Sequence, residues 1–156
     1  MQTGRGIYGI LPMKNGEELI CGSVTGSIVS FNIRTKKFKR LKYDDGKDFE
    51  KRIVTVFMDS LERLWVGTIE GVRVYEIKDD VLKDCKILPD DNILERTHIN
   101  VITKDSKGNF LLGTRKGLYI FDERQTSLKN YDVKDGLPNN VVYGILEDDD
   151  NNLWIS

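Results

Sequence analysis

The sequence holds one histidine, two cysteines and three prolines, and no apolar run approaching the ~20 residues of a membrane span. Each shortage closes off a class. With His98 as the lone imidazole, no Ser-His-Asp arrangement can be assigned. Cys21 and Cys85 cannot make a zinc site, and nothing in their spacing calls for a disulfide, although one is left open. An excess of one charge is missing too. Lysine plus arginine number 24 against 25 acids, for a formal net charge of −1, which gives no reason to expect a nucleic-acid or membrane surface. The opening MQTGRGIYGI lacks the basic region and apolar core of a signal peptide, so any address would lie elsewhere in a longer protein.

What is present is a repeat. From Val101 to Phe121 the chain reads VITKDSKGNFLLGTRKGLYIF: an apolar run, a polar turn, a second run, a short turn closed by Gly117, and a third run. The runs are too short for helices and are punctuated by glycine, so three strands joined by tight turns are expected. The phrase recurs around Gly67 (IVTVFMDSLERLWVGTIEGVRVY) and Gly22 (GIYGILPMKNGEELICGSVTGSIVSF), and it begins again at VVYGILEDDDNNLWIS. The second-strand glycines Gly22, Gly67 and Gly113 are 45 and 46 residues apart, and the turn glycines Gly26, Gly71 and Gly117 keep the same intervals. A period of roughly 40–50 residues with several strands per unit marks a β-propeller blade array.

The expected fold is all-β, with blades of four antiparallel strands in units of approximately 7–50, 51–96, 97–140 and a truncated 141–156. That makes about three and a half blades of one partial propeller across 1–156, an incomplete ring. Fourth strands are expected at Phe38–Tyr43 and Leu128–Tyr131. In the second unit the fourth strand is vague and is placed near Lys86-Ile87-Leu88, with an insertion at Lys78 to Cys85. The last unit should have strands at Val141–Glu147 and Asn152–Ser156. First strands are almost wholly apolar, which fits burial on both faces between blades. Asp59, Asp105 and Asp148 open the first turns and should accept backbone amides just beyond them. The second-turn glycines supply the positive φ of a short hairpin. Cys21 takes a strand position filled by Val66, Leu112 and Ile155 elsewhere, and is read as a small buried apolar residue. Trp65 and Trp154 take one filled by Leu111 and Ile20, which points to blade packing rather than sugar stacking.

The run Asp135-Gly136-Leu137-Pro138-Asn139-Asn140-Val141-Val142-Tyr143-Gly144-Ile145-Leu146-Glu147-Asp148, followed by Asn152-Leu153-Trp154-Ile155, resembles the two-component regulator propeller repeat. So do Leu64-Trp65-Val66-Gly67-Thr68 and Gly117-Leu118-Tyr119-Ile120-Phe121-Asp122. The first unit departs from the pattern, with Leu19-Ile20-Cys21 and no turn aspartate. The resemblance implies the periplasmic sensor region of Bacteroidetes hybrid two-component systems. There, seven-bladed propellers detect breakdown products of complex glycans, and a further β domain, a membrane helix and a histidine kinase follow. It implies a non-catalytic ligand sensor without cofactor, whose partners are a carbohydrate and the remaining sensor and kinase domains. An open blade array also exposes apolar faces at both ends. Two copies of three and a half units sum to seven, so a homodimer through those faces is expected.

In a propeller, the loops entering the first strands share a face with the turns between second and third strands, and ligands usually meet that face. It would carry Thr25, Glu70, Arg115 and Lys116 from the turns, and Asp48, Glu50, His98, Asn100, Asn139 and Asn140 from the loops, with Tyr8 and Tyr143 nearby. Glu70, His98, Asn100, Arg115, Lys116, Asn139 and Asn140 are the ligand-binding candidates; their planar polar groups beside aromatics suit a sugar or an acidic derivative of one. Polar residues at tight turns are equally what any β protein has, and a solvated loop residue is the favoured reading of His98. The run Glu147 to Asp150 lacks the spaced oxygens and turn glycine of a calcium loop, so no metal site is assigned. No catalytic residue is assigned either. A structural or protein-interaction fragment, and a propeller glycosidase or lyase, stand as the rival readings.

Overall fold

In the computed structural model, which describes residues 6–88, 93–122, 124 and 127–156, the short apolar runs are strands. Nothing helical among these residues exceeds a single 3₁₀ turn. Strands β1 (Ile7–Pro12), β2 (Glu18–Ser23), β3 (Ile28–Asn32) and β4 (Lys37–Arg40) form the first antiparallel sheet, in that order. Strand β5 (Lys42–Tyr43) follows. The second blade is β6 (Ile53–Met58), β7 (Arg63–Thr68), β8 (Val72–Lys78) and β9 (Val81–Asp84). The third is β10 (Ile99–Lys104), β11 (Phe110–Thr114), β12 (Gly117–Asp122) and β13 (Ser127–Tyr131). A two-stranded fourth sheet, β14 (Ile145–Glu147) with β15 (Leu153–Ile155), ends the array. The architecture is an incomplete propeller.

The apolar core lies between blades. One cluster, with Ile20, Ile28, Leu41, Phe49, Ile53, Leu64, Tyr75 and Leu82, joins the first blade to the second. Another, with Trp65, Val72, Ile99, Phe110, Leu112 and Phe121, joins the second to the third. Leu111, Leu118 and Val142 join the third to the fourth. The second-strand glycines explain how blades come this close. A Cβ on Gly22 would stand 3.0 Å from Ile53 Cγ2 and Val56 Cγ1, one on Gly67 would stand 2.9 Å from Ile99 Cγ2, and one on Gly113 would stand 2.8 Å from Val142 Cγ1. Ile53, Ile99 and Val142 all lie in the segment that opens the next blade, while Thr55 and Val101 of the glycine's own blade crowd Gly67 and Gly113 from the other side, at 2.5 and 2.6 Å. The glycine is required by packing, not by its dihedral angles.

The turns follow their expected chemistry. Asp59 Oδ1 accepts the amides of Leu61 and Arg63 at 2.9 and 3.0 Å, while Oδ2 accepts Arg63 Nε at 2.7 Å and Trp65 Nε1 at 3.0 Å. Burial alone would raise the pKa of this fully buried carboxyl, but the bonds from Trp65 and Arg63 and the Arg63 charge outweigh it and hold the pKa below its usual value. Asp148 repeats the arrangement, with Trp154 Nε1 at 2.7 Å and the amide of Asn152 at 2.8 Å. Asp105 accepts the Asn109 amide at 2.7 Å. In the first blade, where aspartate is absent, Asn15 Oδ1 takes over and accepts the amides of Glu17 and Glu18. Gly26, Gly71 and Gly117 have φ of +85°, +149° and +107°. Trp65 is wholly buried and stacks on Phe110 of the next blade at 4.0 Å between centroids, which is the packing role expected of it.

Four expectations need correction. The strand at Phe38–Tyr43 is broken: Leu41 is pulled wholly into the core, and Lys42–Tyr43 crosses to pair in parallel with Val81–Leu82 of the second blade. The second blade's outer strand is Val81–Asp84, not Lys86–Leu88. It turns back through Asp79 and Asp80, both left-handed at φ of 51° and 64°, so the presumed insertion is the hairpin itself. The strand expected at Val141–Glu147 is laddered only over Ile145–Glu147, because the amides of Tyr143 and Gly144 both reach the Ser156 carbonyl. First strands are not buried on both faces throughout: Ile7, Ile10 and Leu146 are exposed at the two ends of the array, and on the second strand of the last blade Trp154 is exposed too, so it lacks the blade packing expected of it because no further blade covers it here. Cys21 and Cys85 are both free thiols.

A Gly113→Ala variant is expected to lose about 1–3 kcal/mol of stability in urea unfolding, because the methyl has to displace both Val101 and Val142. An unchanged midpoint would contradict the packing account.

Candidate functional site

The site is built from a backbone irregularity repeated in successive blades. The register of each first strand slips just after it begins, between Ile7 and Gly9, Ile53 and Thr55, and Ile99 and Val101. Tyr8, Val54 and Asn100 are the extra residues of these bulges, without a cross-strand partner. In the fourth blade Tyr143 and Gly144 together face Ser156. A bulge re-aims the side chain it carries. These four, Tyr8, Val54, Asn100 and Tyr143, line one cleft of about 370 Å³, together with Arg52, Ile53, Ile69, His98 and Arg115.

Of the seven candidates, the structure brings His98, Asn100 and Arg115 into this cleft, beside Tyr8 and Tyr143. Asn100 Nδ2 donates to the Val142 carbonyl at 3.0 Å, tying the third blade to the fourth. The Arg115 amide donates to the His98 carbonyl at 3.3 Å. The other four stand apart from the lining. Glu70 is held by Lys51 Nζ at 2.5 Å, and its carboxyl lies below the usual range because of that bond and charge. The Lys116 amide donates to Thr114 Oγ1 at 2.8 Å, in the buried threonine turn that also has Thr114 Oγ1 bonded to the Gly117 carbonyl. Asn139 and Asn140 shape their loop, with Oδ1 of each accepting a backbone amide, from Val141 and Val133 respectively. Asp48 is engaged with Arg40 at 2.7 Å and Lys42 at 3.7 Å, while Thr25 Oγ1 lies 3.1 Å from Ser23 Oγ.

Sequence reasoning missed Arg52, Val54 and Ile69. The signal was there: Arg52-Ile53-Val54 occupies the repeat positions of His98-Ile99-Asn100. Reading the repeats in columns, rather than selecting polar residues within loops, would have found them.

The electrostatics of the cleft are one-sided. Its lining contains two guanidiniums and no carboxylate. Burial, and then the positive charges of Arg115 and Arg52, lower the pKa of the His98 imidazole below its usual value and favour the neutral form. Among the described residues no three His, Cys, Asp or Glu side chains group as metal donors. Asp148, the obvious member of the acidic run, has its oxygens turned to backbone amides and Trp154. A second, larger cleft of about 520 Å³ lies beside β8 and β9, lined by Val72, Arg73, Asp84, Cys85 and Glu95 among others. Arg73 lies 3.8 Å from Glu95 there, so its charge is partly answered.

Fold and turns together define the blades of an incomplete β-propeller. Comparison agrees: the model of the two component regulator propeller family matches residues 136–156, the stretch that carries the fullest form of the repeat. Histidine kinase P4 of Formosa agariphila is 26% identical over 152 residues, covering 92% of this chain and 11% of the relative's length. The extracellular domain of the hybrid two component system BT4673 from B. thetaiotaomicron is similar in structure. Its TM-score is 0.74 at 21% identity, over 97% of this chain and 20% of that one. PorZ, a surface component of the type-IX secretion system of Porphyromonas gingivalis, superposes with a TM-score of 0.77 at 17% identity, over 97% of this chain and 25% of that one. At these identities the solved structures establish the fold. The chain spans a small part, about a tenth to a quarter, of each of these proteins. No helix among the described residues is long and apolar enough to cross a membrane.

Because His98 is the only histidine, its NMR titration can be assigned without ambiguity. Its midpoint is expected below the ordinary 6.5 and should rise in Arg115→Gln, though not fully, since burial is the larger cause. A midpoint at or above the ordinary value would contradict the one-sided charge of the cleft.

Proposed function

We propose that these blades form part of the extracytoplasmic, periplasmic sensor of a two-component system, and that the axial cleft receives an oligosaccharide derived from a larger glycan. The observation that carries this reading is the set of repeated bulges: four blades each send one residue into a common cleft, and two of those residues are exposed tyrosines. An aromatic face with a few converging polar groups is what a sugar ring requires. The role is binding rather than turnover. Glycoside hydrolysis by the usual route needs two carboxyl groups across the scissile bond, and the lining offers none. Binding would bias the geometry of neighbouring blades, and the kinase of a longer protein would read that bias. The family match and the kinase relative support this reading.

Isothermal titration of the chain with neutral and acidic plant, algal and host oligosaccharides is expected to give saturable binding that leaves the sugar unchanged. Tyr8→Ala and Tyr143→Ala should each weaken it about tenfold, the scale of losing one aromatic contact in a binding site. Absence of saturable binding, or release of product, would contradict the proposal.

The apolar ends support a second element of the reading. Ile7 and Ile10 at one end, and Leu146 and Trp154 at the other, are each more than half exposed. In the isolated chain these faces should pair with a second copy, so light scattering is expected to give twice the chain mass. A stable monomer would contradict that pairing.

A further inference from the structure

We propose that the axial cleft is selective for an acidic saccharide, whose carboxylate or sulfate docks on Arg52 and Arg115 while its ring lies against Tyr8 and Tyr143. This rests on the reading of the cleft as a sugar site and adds the chemical class of the ligand.

The argument starts from the state of the two guanidiniums. Five of the eight arginines among the described residues have an acid beside them: Arg34 has Glu17, Arg40 has Asp48, Arg63 has Asp59, Arg73 has Glu95 and Arg124 has Asp122. Arg52, Arg96 and Arg115 have no ion-pair partner among the described residues, and of these Arg52 and Arg115 line the same concavity. Glu70, on the turn after Ile69, is already bound to Lys51 and lies outside the lining. A chain with a net charge of −1 therefore keeps two unanswered positive charges in one cleft without an acid. That arrangement costs like-charge repulsion, which an arriving anion would relieve.

Guanidinium chemistry narrows the class. Its planar donor fork matches the paired oxygens of a carboxylate or sulfate, where a lysine would offer only a point charge. Burial is the main cause of the lowered His98 pKa, and the charges of Arg115 and Arg52 add to it in the same direction. A neutral imidazole can still donate or accept a hydrogen bond to a sugar hydroxyl. Size argues against a bare inorganic anion, since a cleft of about 370 Å³ falls in the range of small-molecule pockets. The two tyrosines argue against a small aliphatic acid, because they would be left without a ring to cover.

The test titrates the chain with four probes: digalacturonate, a sulfated chondroitin disaccharide, cellobiose and sodium sulfate. Wild type is expected to bind at least one acidic disaccharide about tenfold or more tightly than cellobiose and sodium sulfate, the scale of one charge-assisted contact. Arg52→Gln and Arg115→Gln should each weaken that binding by a similar factor. Lys116→Gln, next to Arg115 but outside the lining, should leave it unchanged and so controls for net charge. Preference for digalacturonate assigns a carboxylate, and preference for the chondroitin disaccharide assigns a sulfate. Equal binding of cellobiose, unaffected by the arginine variants, overturns the acidic selectivity and leaves the sugar reading standing. Equal binding of sodium sulfate overturns the saccharide and leaves a plain anion site. No binding of any probe overturns this proposal together with the reading it rests on.

Discussion

Each second strand has to come within contact distance of the first strand of the following blade, and glycine is what permits it. At Gly22, Gly67 and Gly113 even a methyl group would sit at or inside 3.0 Å of Ile53, Ile99 and Val142, the residues that open the next blade. The rest of the packing depends on this approach. It brings β7, buried along its whole length, between its neighbours, and it lets Trp65 lie on Phe110. It also places the Val142 carbonyl where Asn100 can donate to it. The turn glycines of the first two blades serve the same end from the loop side: a Cβ on Gly26 would stand 2.7 Å from the Glu50 carbonyl oxygen, and one on Gly71 would stand 2.3 Å from that of Glu95.

Close stacking at a fixed period has a consequence for chemistry. The scaffold delivers the same backbone position, the first-strand bulge, from each blade to one place. The side chain at that position is free to vary, here tyrosine, valine, asparagine and tyrosine. A repeated fold can thus present a non-repeated site. This is why structural likeness alone does not assign the ligand: a two-component sensor domain and a secretion-system component share these blades.

The blades were legible in the sequence because the constraints that form them act locally. Asp59, Asp105 and Asp148 bind amides within a few residues, and Gly26, Gly71 and Gly117 set a single dihedral each. What escaped depended on contacts across units. Leu41 leaves its strand because of a core contributed by the second blade, so Lys42–Tyr43 pairs with a strand some forty residues on. The outer strand of the second blade was hidden because two aspartates, rather than glycine or asparagine, make its left-handed turn. At the cleft, His98, Asn100 and Arg115 were found as polar loop residues, whereas Val54 and Ile69 were passed over because only the bulges and the stacking reveal them. Glu70, Lys116, Asn139 and Asn140 looked equivalent in sequence, yet an ion pair, a threonine turn and two loop amides account for them.

The central claim is that the repeated bulges converge on one ligand-receiving mouth. Hydrogen–deuterium exchange of the chain with and without saturating digalacturonate tests it most directly, because every blade reports separately. The account predicts slowed exchange confined to the four bulge segments around Tyr8, Val54, Asn100 and Tyr143, together with the turn at Arg115. Slowed exchange centred instead on the cleft beside Asp84 and Cys85, or no change in any blade, would contradict it.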